Sequence, residues 1–322
     1  MRAPIRRFVI CLPAPGQYVD ALRSTFPAVE FEVVEADGLA RSLESADAVA
    51  AWRIPEDAIR TSPNLKWIHR GAAGVEDLVT PTLRASDIIL TNSSGVHASN
   101  IAEHVLALML SFGRGFPSLS RMQRDHDWNG GRLETNVFEL TGQTLLLVGV
   151  GDIGEAVAKR AKALGMTTIG VRRRSDRPRP DAIDTMVSDE RLHEVLASAD
   201  HVVNSLPLTS RTRGLFDISA FAAMKDGVHF YNVGRGKTVD TAALIAALES
   251  GKIAGAGLDV VDPEPLPGDS RLWDIPNVIL TAHTAGRTPH MWDRVFKLIE
   301  NNLERYQAGD ELLNVVDVDS GY

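Results

Sequence analysis

A single cysteine, Cys11, stands among 322 residues, so no internal disulfide can form. It lies in Phe8-Val-Ile-Cys-Leu12, an apolar run that reads as a buried strand, where a small core residue is the role expected of it. No apolar run approaches the length needed to span a membrane. The one that follows Arg2, Arg6 and Arg7 is too short for the apolar region of a secretion signal, so the expected setting is a reducing cytoplasm. Positive charge is not in excess. Lys and Arg number 34 against 42 Asp and Glu, and the net charge of -8 argues against nucleic acid or an anionic membrane as a partner. The short basic run Arg172-Arg-Arg174, with Arg177 and Arg179, is interrupted by prolines. Neither HExxH nor CxxC occurs, and Asp125-His-Asp127 reads as a solvated polar stretch, so no metal is expected. No period repeats and no segment has low complexity. With 44% apolar and 24% charged residues the composition is that of an ordinary globular protein, and the length suggests two domains.

What is present is organised around Leu145-Leu-Leu-Val-Gly-Val-Gly-Asp-Ile-Gly154. Its first half is a short apolar run, expected as a buried strand. Gly149, Gly151 and Gly154 then break the run and open a helix, Glu155 to Leu164, rich in Ala, Lys and Arg and closed by Gly165. A second strand, Thr167-Thr-Ile-Gly-Val171, follows and completes a βαβ unit. Glycines also make ordinary turns, but strand, glycine turn and helix in this order form the context of a dinucleotide fingerprint. Gly149 permits the tight turn, Gly151 lets the backbone approach a pyrophosphate, and Gly154 lets helix and strand pack closely. The helix N-terminus offers N–H groups and a positive dipole end to the phosphates. In domains that prefer NAD, an acid near the end of the second strand takes the ribose 2′-hydroxyl. Here Arg172 stands in that place and Arg173 and Arg174 follow, with Asp176 beyond the strand end. NADP, as NADPH, is therefore the expected cofactor, with NAD possible, and Arg172 or Arg173 the expected source of discrimination. A solvated surface run is the alternative reading of these arginines.

Before this unit, apolar runs at Phe8–Leu12, Phe31–Val34, Ala48–Trp52, Lys66–His69 and Ile88–Thr91 read as strands. Tyr18–Thr25, a segment near Leu39–Ser45, and Pro55–Arg60 read as the helices between them, so a parallel sheet covered on both faces is expected. Ser99 to Ser111 reads as a buried helix capped by Ser99, with Glu103 near its first turn, and Phe116 to Asp127 as a second helix. A second α/β domain has expected strands at Leu145–Val150, Thr167–Val171, His201–Leu206, His229–Val233, Ala256–Val260 and Val278–Thr281. A last helix, Pro289 to Tyr306, is expected to return to the first domain, so that the chain crosses between domains near 98 and near 287.

Three strands of the second domain end in polar groups: Asn232-Val-Gly-Arg235-Gly236, Asp259-Val-Val-Asp-Pro-Glu264-Pro265 and Thr281-Ala-His283-Thr-Ala-Gly286. In a parallel sheet the carboxyl ends of the strands face the ligand crevice, so Arg235, Glu264 and His283 should converge there. Reduction of a 2-oxo acid needs such a set: a cation for the carboxylate, a proton donor for the carbonyl oxygen, and an anion that keeps the donor protonated. Each residue also has a plain structural reading, as a loop cation, a solvated turn carboxylate and a satisfied histidine.

Taken together these stretches resemble the D-isomer-specific 2-hydroxyacid dehydrogenase family, which includes glyoxylate/hydroxypyruvate reductases. The resemblance covers nearly the whole chain. It rests on Gly74-Val-Glu76, Ile101-Ala-Glu-His-Val-Leu-Ala-Leu108, the glycine fingerprint, Leu206-Pro-Leu-Thr209 with Thr212, Asn232 to Gly236, Asp259 to Pro265, and His283-Thr-Ala-Gly286. It implies two doubly wound parallel-sheet domains of the α/β class, a Rossmann cofactor domain (99–287) inserted in a flavodoxin-like substrate domain (1–98 and 288–322). It implies that Arg235 binds the substrate carboxylate and carbonyl, that His283 is the general acid–base, and that Glu264 orients it. Backbone N–H groups of Ala73 and Gly74 would also hold the carboxylate. Gly149, Gly151, Asp152, Ile153, Gly154, Arg172, Arg173, Leu206, Pro207, Thr212, Val233, Gly234, Asp259, Ala285 and Gly286 would contact the cofactor, with Asp259 at the nicotinamide carboxamide. A small 2-oxo or 2-hydroxy acid is the implied substrate, and a homodimer through the cofactor domain the implied assembly. Ala282 stands where the family commonly has proline and Val261 where an aromatic is usual, which touches how these loops are held. Formate-dehydrogenase-like relatives pair the histidine with glutamine, and Glu264 argues against that chemistry. A nucleotide-sensing corepressor would be expected to carry extra tails, whereas this sequence ends soon after its last helix. Trp52, Arg53, His69, Arg70, Met291 and Trp292 are open to two readings, pocket lining or domain-interface packing.

Overall fold

A computed structural model describes residues 2–133, 137–173 and 178–318. The chain forms two compact units, Met1–Val96 with Thr288–Tyr322, and His97–Arg287. The first begins with β1 (Arg7–Cys11), α1 (Gly16–Thr25), β2 (Glu30–Val33), α2 (Leu39–Leu43), β3 (Ala48–Ala51), α3 (Glu56–Arg60), β4 (Trp67–Arg70), α4 (Pro81–Arg84) and β5 (Ile89–Asn92). These five strands pair with one another in parallel, in the order β2-β1-β3-β4-β5, a doubly wound sheet.

Alternation along β1 shows why both faces are filled. Phe8 and Ile10 join one core cluster with Trp67, whereas Val9 joins the other with Val49 and Ile68. A strand buried on both faces reads as a continuous apolar run, and all four residues of β3 are buried. Trp67 is fully buried, packs edge-on against Phe8 with ring centroids 5.2 Å apart, and satisfies its indole N–H on Thr91 Oγ1 at 2.9 Å.

The second unit runs through α5 (Ala98–Gly113), α6 (Phe116–Arg124), β6 (Thr144–Val148), α7 (Asp152–Ala163), β7 (Thr167–Val171), β8 (Thr185–Val187), α8 (Leu192–Leu196), β9 (His201–Asn204), α9 (Ile218–Ala223), β10 (Val228–Asn232), α10 (Thr241–Glu249), β11 (Ile253–Leu258) and β12 (Val278–Leu280). Its seven parallel strands lie in the order β12-β11-β10-β9-β6-β7-β8. The order reverses between β6 and β9, the position at which such sheets open a crevice for a nucleotide. Leu145 and Leu147 pack under α5 and α7, and Leu146 and Val148 pack on the other face with residues of α8, α9 and α10. The chain then returns to the first unit as α11 (Met291–Ala308), whose Val295, Phe296, Ile299 and Leu303 join the cluster of Phe8 and Trp67. Beyond it, Val315 bridges Thr91 in antiparallel sense and the Val316 N–H donates to Leu90 O at 2.8 Å.

Several details differ from expectation. Helix α5 begins one residue earlier than expected and its N-cap is His97, so Ser99 is not the cap. Ser99 Oγ instead accepts from Arg160 Nη2 at 2.7 Å. Helix α6 ends at Arg124 rather than Asp127, and β11 starts at Ile253 rather than Ala256. Cys11 is only partly buried, because it ends its strand, and burial, then Glu35, raises its thiol pKa. The edge strand β8 has three residues and follows a Pro-containing stretch, too short to carry a period. Arg174, Asp176 and Arg177 lie outside the described residues.

Candidate active site

The glycine loop between β6 and α7 is built as a cradle. Gly149 has φ +101°, a region that side chains rarely enter, and a Cβ on Gly154 would run into the Gly149 carbonyl. A Cβ on Gly151 would meet nothing within 4 Å, so that backbone faces open space at the start of a twelve-residue helix. Ser205, just past β9, donates its Oγ–H to Gly149 O at 2.9 Å and ties the loop to the strand across the switch point. Asp152 and Ile153 open the helix. This arrangement fits the pyrophosphate of a dinucleotide. Leu206 and Pro207 follow β9. The Leu206 N–H donates to Asn204 Oδ1 at 3.2 Å, and Thr212 Oγ1 donates to Pro207 O at 2.6 Å. Arg172 follows β7, its Nη2 donating to Pro178 O at 3.1 Å, and Arg173 next to it is exposed.

Arg235 follows β10, and Val233 and Gly234 separate it from the strand. Its loop is held from below by buried amide groups that apolar patterning does not reveal. Asn204 Nδ2 donates to Asn232 Oδ1 at 2.9 Å and to Thr238 Oγ1 at 2.6 Å. Thr238 Oγ1 donates in turn to Arg235 O at 2.6 Å. The Arg235 guanidinium donates from Nη1 to Gly234 O at 2.8 Å. Asn204, Asn232 and Thr238 are all at most 1% exposed, so each polar atom needs its partner inside the protein.

Glu264 and His283 come together across nineteen residues of chain. Glu264 Oε2 lies 2.8 Å from His283 Nδ1, and its Oε1 accepts from the Val261 N–H at 3.1 Å. A carboxylate can only accept, so the ring proton sits on Nδ1 and Nε2 is the nitrogen left for exchange with a ligand. The side chains are 56% and 37% exposed, an imidazole–carboxylate pair still reached by water.

The backbone that carries His283 is unusual. Ala282 and His283 have φ +47° and +55°, a conformation that costs about 1–3 kcal/mol at each and persists only where the surroundings impose it. Asp259 imposes it. Its backbone O accepts from the His283 N–H at 2.7 Å, and its Oδ1 accepts from the Thr284 N–H at 2.8 Å, the Ala285 N–H at 3.1 Å and Thr281 Oγ1 at 2.7 Å. Asn100 on α5 donates to Ala285 O at 2.7 Å, and His97 lies beside Gly286. The Asp259 carboxylate, 5% exposed, is thus committed to the His283 loop.

In the first unit, Ala73 and Gly74 lie in the loop after β4, anchored by Asn92 Nδ2 to Ala73 O at 2.8 Å and by the Ser93 N–H to Ala72 O at 3.1 Å. His69 is fully buried between Thr91 Oγ1 (2.9 Å) and Ser93 Oγ (3.1 Å), and burial pulls its pKa down to about 3, which makes it a neutral core residue. Arg70 ends β4 largely buried. Burial lowers its pKa, and Asp77 at 3.0 Å opposes that shift. Trp52 and Trp292 pack edge-on, 6.1 Å between centroids. Among the described residues no His, Cys, Asp and Glu cluster forms a metal site, Asp125-His-Asp127 included, and no helix is long and apolar enough to cross a membrane.

The fold and the glycine cradle define a dinucleotide-binding α/β protein. Residues 106–285 match the family model described as D-isomer specific 2-hydroxyacid dehydrogenase, NAD binding domain. The chain is 33% identical to the hydroxypyruvate reductase of Thermotoga maritima, over 84% of this chain and 89% of that one. It is 30% identical to the D-3-phosphoglycerate dehydrogenase of Archaeoglobus fulgidus, over 98% of this chain and 60% of that one. A solved D-isomer specific 2-hydroxyacid dehydrogenase from Xanthobacter autotrophicus, in complex with NADPH and MES, superposes with a TM-score of 0.86 at 31% identity, covering 99% of this chain and all of that one. The chain belongs to the D-isomer-specific 2-hydroxyacid dehydrogenase family. It spans 54–60% of the length of the phosphoglycerate dehydrogenases it matches from Bacillus subtilis and A. fulgidus.

Proposed function

We propose that the protein reduces a small 2-oxo acid to the D-2-hydroxy acid with NADPH, the second unit serving as cofactor domain and the first as substrate domain. The observation that carries this reading is the Glu264–His283 pair, 2.8 Å apart on the sheet edge that also bears Arg235 and the glycine cradle. The reduced nicotinamide, when bound, supplies the hydride that C2 receives. Arg235 holds the carboxylate and carbonyl oxygens through its planar fork of donors. His283 gives the Nε2 proton to the carbonyl oxygen as charge develops there, and Glu264 stabilises the imidazolium that precedes this transfer. Gly149, Gly151, Asp152, Ile153 and Gly154 would hold the pyrophosphate, Leu206, Pro207, Thr212, Val233 and Gly234 the adjoining faces, and Asp259, Ala285 and Gly286 the nicotinamide end.

Preference for NADPH over NADH rests on Arg172 and Arg173, which take the place of the acid that would repel a 2′-phosphate. The NADPH bound to the X. autotrophicus relative supports it. A homodimer through the second unit is supported by Phe116 and Trp128, 56% and 101% exposed along and after α6. Reduction of glyoxylate, hydroxypyruvate, pyruvate and longer 2-oxo acids, followed by loss of reduced-cofactor absorbance, tests the reading. Turnover of at least one acid is expected. Higher kcat/KM with NADPH is also expected, and it should fall in Arg172→Ala or Arg173→Ala. Tight NADPH binding with no turnover of any acid would overturn the reading in favour of a nucleotide-sensing protein.

A further inference from the structure

His104 sits in the middle of α5, far in sequence from the reacting groups, with its side chain 22% exposed. Its Nε2 is 3.0 Å from Thr281 Oγ1 and 4.0 Å from Asp259 Oδ1. Thr281 has one hydroxyl proton, and Asp259 Oδ1 lies 2.7 Å from the same oxygen. Both Asp259 oxygens accept from backbone N–H groups, Oδ1 from Thr284 and Ala285 and Oδ2 from Ala285, which is the role of a carboxylate. The Thr281 proton therefore points to Asp259, and its lone pair is what faces His104. It follows that His104 carries a proton on Nε2. The three groups form a directed chain: the His104 N–H donates to Thr281, the Thr281 O–H donates to Asp259, and Asp259 gathers the backbone of the left-handed turn that presents His283.

We propose that His104 is a positioning residue for His283, acting through Thr281 and Asp259. Without the His104 donor the Thr281 hydroxyl is free to rotate its proton elsewhere. Asp259 then loses its shortest side-chain partner, and Ala282 and His283 lose part of what holds them at positive φ. The ring of His283 would still form and still pair with Glu264, but its Nε2 would spend less time where the carbonyl oxygen must be protonated. Loss of alignment lowers the chemical step and leaves substrate binding, which the Arg235 loop carries, nearly untouched.

This inference rests on the dehydrogenase reading of His283, and the experiment has arms that separate the two. In His104→Leu, kcat should fall about tenfold with KM within about twofold of wild type, the split expected when alignment rather than binding is lost. His104→Gln, whose amide N–H can replace the Nε2 donor, should recover most of that loss. Thr281→Val should match His104→Leu, and the double variant should fall no further, because both act on one chain of bonds. Independently of activity, 15N chemical shifts of histidine-labelled wild-type protein, assigned by the loss of one signal in His104→Gln, should show the Nε2 of His104 protonated. A His104 ring protonated on Nδ1 alone would overturn the inference. So would wild-type kcat in folded His104→Leu, or a Gln variant no better than Leu. If wild type turns over none of the oxo acids while the 15N spectrum shows the Nε2 proton, the dehydrogenase reading fails and the bond chain stands.

Discussion

The two ends of the sheet in the second unit use histidine in opposite ways. At the amino ends, His201 opens β9 and stacks on His229 of β10, 5.4 Å between centroids, with Phe138 4.9 Å from His229. His201 meets neutral partners, Tyr231 Oη at 3.1 Å and Gln143 Oε1 at 2.5 Å. Burial depresses its pKa to about 3, with His229 adding to the shift and Asp200 opposing it, and burial alone depresses His229 to about 4. At the carboxyl ends, His283 stands more than half exposed against a carboxylate. The amino-end pair is a packing element locked in the neutral form. The carboxyl-end residue has what a proton carrier needs, water, a counter-charge and a ring nitrogen to spare.

The largest effect should come from removing the carrier. His283→Ala should lower turnover by about two to four orders of magnitude, the usual worth of a positioned acid–base group. NADPH affinity, read by titration, should stay near wild type, because the phosphates are held by the glycine cradle. Near-normal turnover in the folded variant would break the contrast. A smaller effect should follow from removing the counter-charge. Glu264→Gln keeps an oxygen for Nδ1 but leaves the imidazolium without its anion. Turnover should then fall, by less than in His283→Ala, with KM near wild type, because the partner that orients and stabilises the imidazolium is lost while the ring remains. Wild-type turnover in the folded variant would mean that Glu264 does not serve His283.

The smallest effect should appear at the buried end, in stability rather than rate. Below pH 6.5 the unfolded chain takes up a proton at each of these histidines, while folded His229 and His201 refuse it until pH nears about 4 and 3. The unfolded state binds more protons in that window, so stability falls as pH falls from 6.5. His229→Phe, which keeps the aromatic packing with Phe112 and Phe138, should flatten the pH dependence of unfolding free energy by up to about 1.4 kcal/mol per pH unit between pH 6.5 and 4.5. An equal slope in denaturant titrations of wild type and variant would show that His229 titrates normally.

Much of the fold was legible because its signal is local and repetitive. Two-faced burial makes β3 and β6 continuous apolar runs, and the glycines of the cradle announce a turn between a strand and a helix. Helix α5 was visible from its apolar residues, but its start was not. Ser99 has the chemistry of a cap, and only the tertiary position of Arg160 decides that it serves as an acceptor instead. Strand ends pointed to Arg235, Glu264 and His283 as groups on one sheet edge. The contacts beneath them left no such trace. Asn204 meets Asn232 and Thr238 across 28 and 34 residues of chain, and His104 meets Thr281 across 177. No periodicity encodes a contact of that range, although a polar residue in an otherwise apolar strand or helix is a hint that something must satisfy it.

The return of the chain through α11 sets an order of events during synthesis. The second unit is complete once Arg287 has emerged, and all of its strands and helices lie within one continuous stretch. The first unit begins earlier but must wait, because Phe8, Ile10 and Trp67 share their core with Val295, Phe296, Ile299 and Leu303. A nascent chain therefore carries an apolar sheet face covered only in part, by Val19 and Leu22 of α1, while the intervening unit folds, and completes that cover only when α11 leaves the ribosome. Chains stalled before residue 291 should be the species that chaperones hold.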